Sequence, residues 1–251
     1  MKILRFRLFA TALIGLVLGF TTFAAPAVAQ APGKPAFSKE EEARVRQIVR
    51  EYLVSNPEVL DEAIGVLRKR QEQQRRVAIE TDPRHFAVGS KDAKVVVVEF
   101  FDYRCPYCKT SLDWMMNTVR TRKDVRVVFK EYPVLGPASL EASKAAIATI
   151  RQGKYLAFHQ ALMASKGELN AKLIDATAKR VGVDVARMRR DMNDPAIAKL
   201  IEDNHDLGAQ ARVEGTPAFM VNGEWVHGAD FASLEKLIAA NLTGGGAKKT
   251  R

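Results

Sequence analysis

The chain has two cysteines, and both lie in FFDYRCPYCK, residues 100–109. Cys105 and Cys108 flank Pro106 and Tyr107. Two thiols so spaced can exchange a disulfide, supply two ligands to a metal, or close an inert clasp. The clasp is a poor reason to keep them. A bridge across so short a loop removes little entropy from the unfolded chain, and a chain of this length buries a core without one. A structural zinc needs four ligands, and His85, His159, His205 and His227 are scattered without ligand spacing. A Cys₂His zinc or a soft copper(I) site stays open in space, but no metal is assigned as the main role.

Exchange chemistry fits better. The pair follows an apolar run, VVVVEFF (95–101), and precedes a helical pattern, KTSLDWMMNTVRTR. Cys105 is therefore expected at a helix start, where unpaired backbone N–H groups and the positive dipole end favour thiolate over thiol. Pro106 suits the first turn and fixes its geometry. Cys108 sits one turn on and deeper, placed to resolve a mixed disulfide. Tyr107 helps set how strongly the thiolate is favoured. Glu99 lies in the apolar strand, where a carboxylate must be protonated or paired. It is expected to relay a proton to Cys108, unless it faces solvent or meets a lysine. Thr216-Pro217 stands just before a later strand. A cis bond suits a tight turn there, and an ordinary trans turn is the alternative.

The elements that must position these residues follow from punctuation and period. Ser38 with Glu41 predicts a capping box opening a helix over 39–54. Ser55 or Asn56, with Pro57 in the first turn, restarts a second helix that becomes almost wholly polar through RKRQEQQRR. Residues 81–94 read as a loop. Strands are expected at 95–101 and 124–134, with a helix between them. Helical patterns fill 137–211, broken at Gly153, Gly167, Gly182 and Pro195. A hairpin turns at Asn222-Gly223, and a helix over 230–241 closes the body.

The ends and the charge bound the setting. Lys2, Arg5 and Arg7, an apolar run and Ala27-Val28-Ala29 predict a cleaved leader over 1–29, with an uncleaved anchor as the alternative. That reading places the protein in a bacterial periplasm or outside the cell, where disulfides persist. The net charge of +10 is spread over short clusters such as Arg68–Arg70 and Arg120–Lys123. Without aromatic interleaving it reads as solvated surface, with no nucleic acid as partner.

VVVVEFFDYRCPYC and EGTPAF, with the helical block between them, resemble the DsbA-like thiol:disulfide interchange proteins over residues 90–241. The resemblance implies an α/β fold, a thioredoxin core over 81–136 and 212–242 with a helical insert over 137–211. It places the family's acidic residue at Glu99, its active-site pair at Cys105 and Cys108, and its cis-proline loop at Thr216-Pro217. There the backbone of Thr216 would pair with a substrate chain. Tyr107 stands where the best-known oxidases have histidine, so the dithiol resembles the glutaredoxin type. No cofactor beyond the cysteine pair is implied.

The helical arm over 30–80, with VREYLVSNPEVL (49–60), resembles that of the suppressor-of-copper-sensitivity ScsC subfamily, whose arms associate in trimeric disulfide isomerases. Expected partners are unfolded or misoxidised exported proteins, a membrane thiol-redox protein that resets the dithiol, and further copies of the chain, dimer or trimer, joined through 39–76. Residues 243–251 read as a flexible tail. A dithiol oxidase without isomerase action and a copper(I)-binding or chaperone protein are the competing readings.

Overall fold

The structure, a computed structural model, describes residues 37–244. The predicted leader and most of the tail lie outside the described residues. Chain packing divides the molecule between Leu60 and Asp61.

In the first unit, α1 (Lys39–Ser55) opens at the predicted capping box. The Glu41 N–H donates to Ser38 Oγ at 3.2 Å, and the Ser38 N–H donates to Glu41 Oε2 at 2.8 Å. No residue of α1 is buried, so Val45, Ile48, Val49 and Tyr52 face solvent. Asn56 ends this helix instead of opening the next. Its backbone and side-chain N–H groups both donate to the Tyr52 carbonyl. Helix α2 (Glu58–Thr81) then runs for 24 residues, straight through the polar stretch. Ile64 and Leu67 stay exposed, whereas Ile79 is buried with Val98, Phe100 and Met220. The last turn of α2 is thus part of the core of the second unit.

That unit is built on a five-stranded sheet. Strand β1 (Ala87–Val88) lies inside the segment expected to be loop and pairs antiparallel with a later strand. Two residues are too few to show a period. The four-valine run makes β2 (Val95–Phe101), and Pro106 starts α3 (Pro106–Thr121). The chain returns as β3 (Val125–Glu131), parallel to β2, and ends short of Pro133, three residues earlier than expected. Five helices follow as expected: α4 (Pro137–Ile150), α5 (Tyr155–Met163), α6 (Ala171–Arg180), α7 (Val185–Asp191) and α8 (Pro195–Gln210). Asn222 and Gly223, both at positive φ (48° and 96°), turn β4 (Ala218–Val221) into β5 (Glu224–His227). Helix α9 (Phe231–Leu242) closes the unit.

The strand order is β1-β3-β2-β4-β5, with β4 antiparallel to β2. Alternation sorts the side chains. Val95, Val97, Phe101 and Phe129 face a large core shared with α3, the inserted helices and α9. Val98, Phe100 and Val128 face the smaller cluster that holds Ile79. This is the arrangement the resemblance implied, a sheet with a helical insert between β3 and β4.

One contact fixes how closely α8 approaches the end of β3. A Cβ at Gly208 would come within 2.6 Å of the Tyr132 ring and hydroxyl, and Tyr132 is itself buried, its O–H donating to the Val213 carbonyl at 3.3 Å. Gly208→Ala is expected to cost about 1–3 kcal/mol by overpacking, read as a lower urea midpoint at unchanged m-value.

Candidate active site

The register of β2 and β4 brings the sequence-predicted residues together. Phe100 pairs with Ala218 in an antiparallel ladder, so the chain leaving β2 and the chain entering β4 lie at one end of the sheet. Cys105 follows the first strand and Thr216-Pro217 precedes the second. The Thr216–Pro217 bond is cis. The Cys105 thiol donates to the Thr216 carbonyl at 3.1 Å.

Cys105 is the N-cap of α3 with Pro106 in the first turn, as predicted, but its sulfur does not cap the helix. Pro106 removes one donor, and the first turn carries no acidic residue to satisfy the rest. The start of α3 therefore presents backbone N–H groups and the positive end of the helix dipole beside the sulfur. Both cysteines are free thiols. Cys108 is the deeper, 1% exposed against 4% for Cys105, and Tyr107 between them stands 67% exposed.

Glu99 faces neither solvent nor a lysine. It is buried on the α3 side of β2, and Ser111 Oγ lies 2.5 Å from its Oε1. Ser111 Oγ also lies 2.9 Å from the Cys108 carbonyl oxygen. A hydroxyl has one proton to give. If Ser111 donates to that carbonyl, it can accept from a protonated Glu99. Burial raises the Glu99 carboxyl from 4.5 to about 8, against the Ser111 hydrogen bond. Burial also pushes the Cys108 thiol far up, with further contributions from the Glu99 carboxylate and from Cys105. A thiolate at Cys108 is therefore costly, and a neutral carboxyl lies in the same enclosure.

Sequence reasoning missed three residues here. Ser111 repeats one helical turn beyond Cys108, a signal that could have found it. Asp102 is wholly buried. Its Oδ1 accepts from the Arg104 N–H and the Ser139 hydroxyl, each at 2.7 Å. Its Oδ2 accepts from the Val134 and Leu135 N–H groups, each at 2.9 Å. Glu131, at the end of β3, accepts from Tyr155 at 2.8 Å and from Tyr103 at 3.2 Å, and burial raises its carboxyl to about 8. No spacing rule announces either carboxylate. Among the described residues, no group of three or more His, Cys, Asp or Glu is placed to hold a metal ion.

Residues 96–239 match the profile of the DSBA-like thioredoxin domain. The chain belongs to that family. Residues 41–74 match a second profile, the copper resistance protein ScsC N-terminal domain. A thioredoxin-like oxidoreductase from Silicibacter pomeroyi DSS-3 is 35% identical and superposes with a TM-score of 0.65, over 67% of this chain and 98% of the other. Proteus mirabilis ScsC in a transitional conformation is 31% identical with a TM-score of 0.63, over 83% of this chain and 100% of the other. Among curated proteins, the Na(+)/H(+) antiporter NhaA 1 of Salinispora arenicola is 32% identical over 166 residues, 65% of this chain. The DSBA-like chain spans about a quarter of the length of that relative (25%). Among its described residues, no helix is long and apolar enough to cross a membrane.

The buried groups of the second unit of this DSBA-like chain set how its stability depends on pH. Burial lowers His85 and His159 from 6.5 to about 3. They bind protons mainly on unfolding, so stability rises with pH up to about 6.5 on their account. Glu99 and Glu131 hold protons in the fold that the unfolded chain releases near 4.5. Each therefore removes stability as pH rises from 4.5 to about 8. The two pairs oppose one another up to 6.5, and the carboxyls act alone above it. Beyond about 8 the buried Lys130, lowered from 10.5, acts in the opposite direction. The urea midpoint of the dithiol form should fall between pH 6.5 and 8, and Glu99→Gln should remove about half of that fall. An unchanged slope in Glu99→Gln would show that Glu99 holds no proton there.

Proposed function

We propose that the protein is an exported thiol–disulfide oxidoreductase that reshuffles disulfides in other exported proteins. The contact of Cys105 Sγ with the Thr216 carbonyl at 3.1 Å carries this reading. It sets one sulfur of the pair at the edge of a backbone that can bind an extended chain.

Cys105 attacks a substrate disulfide. The substrate S–S bond breaks, a mixed disulfide forms, and one substrate sulfur leaves as thiolate. If that thiolate attacks elsewhere in the substrate and a substrate sulfur finally expels Cys105, the disulfides are rearranged with no net change in electrons. If Cys108 attacks Cys105 Sγ instead, the second substrate sulfur leaves. The protein is then oxidised by two electrons and the substrate reduced by two. Run in reverse, the same steps oxidise a dithiol substrate. A membrane thiol-redox protein resets the pair.

In its ionised form Glu99 takes up the Cys108 proton as that thiol attacks, and the carboxylic acid so formed returns the proton when Cys108 leaves; a Glu99 that already holds a proton must release it before it can serve as that base. Thr216 and Pro217 hold the substrate backbone, and Pro106 and Tyr107 tune the pair. The apolar stripe of Val45, Ile48, Val49 and Tyr52, left in solvent in a single chain, joins copies into a dimer or trimer through residues 39–76. Several dithiols facing one substrate favour isomerisation over simple oxidation. The match of residues 41–74 to the ScsC N-terminal profile supports the arm, and the predicted leader supports a periplasmic setting.

Cys105→Ser should reduce insulin reduction and scrambled-ribonuclease rescue to background. Stoichiometric copper(I) retention without turnover in the wild type would replace catalysis with metal capture. The full chain should scatter light as more than a monomer. Ile48→Glu with Tyr52→Glu should yield a monomer whose insulin reduction stays within about twofold and whose rescue falls about ten-fold or more. Equal rescue by that monomer would leave a dithiol oxidase whose arm has another use.

A further inference from the structure

Asp102 is three residues before Cys105, and nothing in the exchange steps uses it. Its carboxylate is completely enclosed, and among the described residues it forms no ion pair. Burying such a group is costly unless its acceptor sites are filled. Here four donors fill them, and the donors come from three places. Arg104 belongs to the loop that delivers Cys105. Val134 and Leu135 belong to the loop leaving β3. Ser139 is in the first turn of α4, the helix that opens the insert. The main chain at Asp102 completes the knot, because the Cys105 N–H donates to its carbonyl at 3.1 Å. A second strap, from the Arg104 guanidinium to the Leu135 carbonyl, ties the same two loops. One side chain thus holds the approach to the reactive sulfur against both the sheet end and the insert.

We infer that Asp102 is a positioning residue for the exchange reaction: it holds the 102–105 loop so that Cys105 Sγ meets the Thr216 carbonyl in the dithiol state. The inference rests on Cys105 and Cys108 being the redox couple. Its effect differs between the two redox states. In the disulfide form, the bond to Cys108 ties Cys105 covalently to α3. In the dithiol form that tie is gone, and the loop is held by hydrogen bonds alone. Losing the Asp102 carboxylate therefore costs the dithiol more than the disulfide, and the equilibrium between them moves toward the disulfide.

The variants are Asp102→Asn and Ser139→Ala in the full chain. An amide keeps the shape but replaces one acceptor oxygen by a donor nitrogen. The Ser139 hydroxyl can turn to accept from that nitrogen, whereas the Arg104 N–H cannot, so one part-buried donor loses its partner. Wild type and variants are equilibrated with reduced and oxidised glutathione, then alkylated and weighed.

A wild type that shows no two-electron titration removes the redox couple itself, separately from the role of Asp102. Given that titration, Asp102→Asn should shift the constant about ten-fold toward the disulfide, and Ser139→Ala about two- to three-fold the same way. Urea unfolding should show the dithiol form losing more than the disulfide form. A residue that merely supports the fold weakens both forms equally and leaves the constant where it was; that result, or a shift toward the dithiol, overturns the inference. Should Asp102→Asn fail to fold, Ser139→Ala decides by the same criterion.

Discussion

The antiparallel pairing of β2 with β4 is the constraint on which the site depends. Because Phe100 lies opposite Ala218, the end of one strand and the start of the other meet at the same end of the sheet. The cysteine helix and the proline loop are far apart along the chain, yet this register leaves them hydrogen-bonded to each other. A slip of one residue would turn Glu99 and its strand neighbours to the opposite face. The hairpin residue Asn222, whose Oδ1 accepts from the Val96 N–H at 2.9 Å, marks the register from the other end of β2. The site is accurate because the sheet beneath it cannot slide.

In the exchange proposed here, electrostatics divides labour between two chemically identical thiols. Cys105 stands at a helix start whose N–H groups have no side-chain cap. Cys108 is buried, and Ser111 links its backbone to the enclosed Glu99 carboxyl. One sulfur is placed to attack. The other leaves readily only if a proton is at hand to make it a thiol. Glu99 can hold that proton at neutral pH because burial disfavours its charged form. Its neutrality and the thiol character of Cys108 have the same cause.

Much of this was legible from the chain. The cysteines could be placed at a strand-to-helix junction because the apolar period changes there from β-branched run to helical stripe. Asn222-Gly223 announced its hairpin because few other residue pairs tolerate two positive φ angles. Glycines and prolines marked the inserted helices. What stayed hidden depends on contacts between distant segments. Asp102 looks like an ordinary loop aspartate until Val134, Leu135 and Ser139 fold around it. Strand β1 is too short for any pattern and exists only because β3 offers it an edge. Asn56 reads as an N-cap by type, but its amide turns back to the preceding helix.

The central claim is that Cys105, rather than Cys108, is the sulfur that bonds to substrate. It is tested most directly by incubating Cys108→Ala and Cys105→Ala chains with a disulfide-bearing unfolded protein, quenching with acid, and mapping the covalent adducts by mass spectrometry. The account predicts a stable mixed disulfide on Cys105 in the first variant and none in the second. Adducts formed equally well on Cys108, or on neither cysteine, would contradict it.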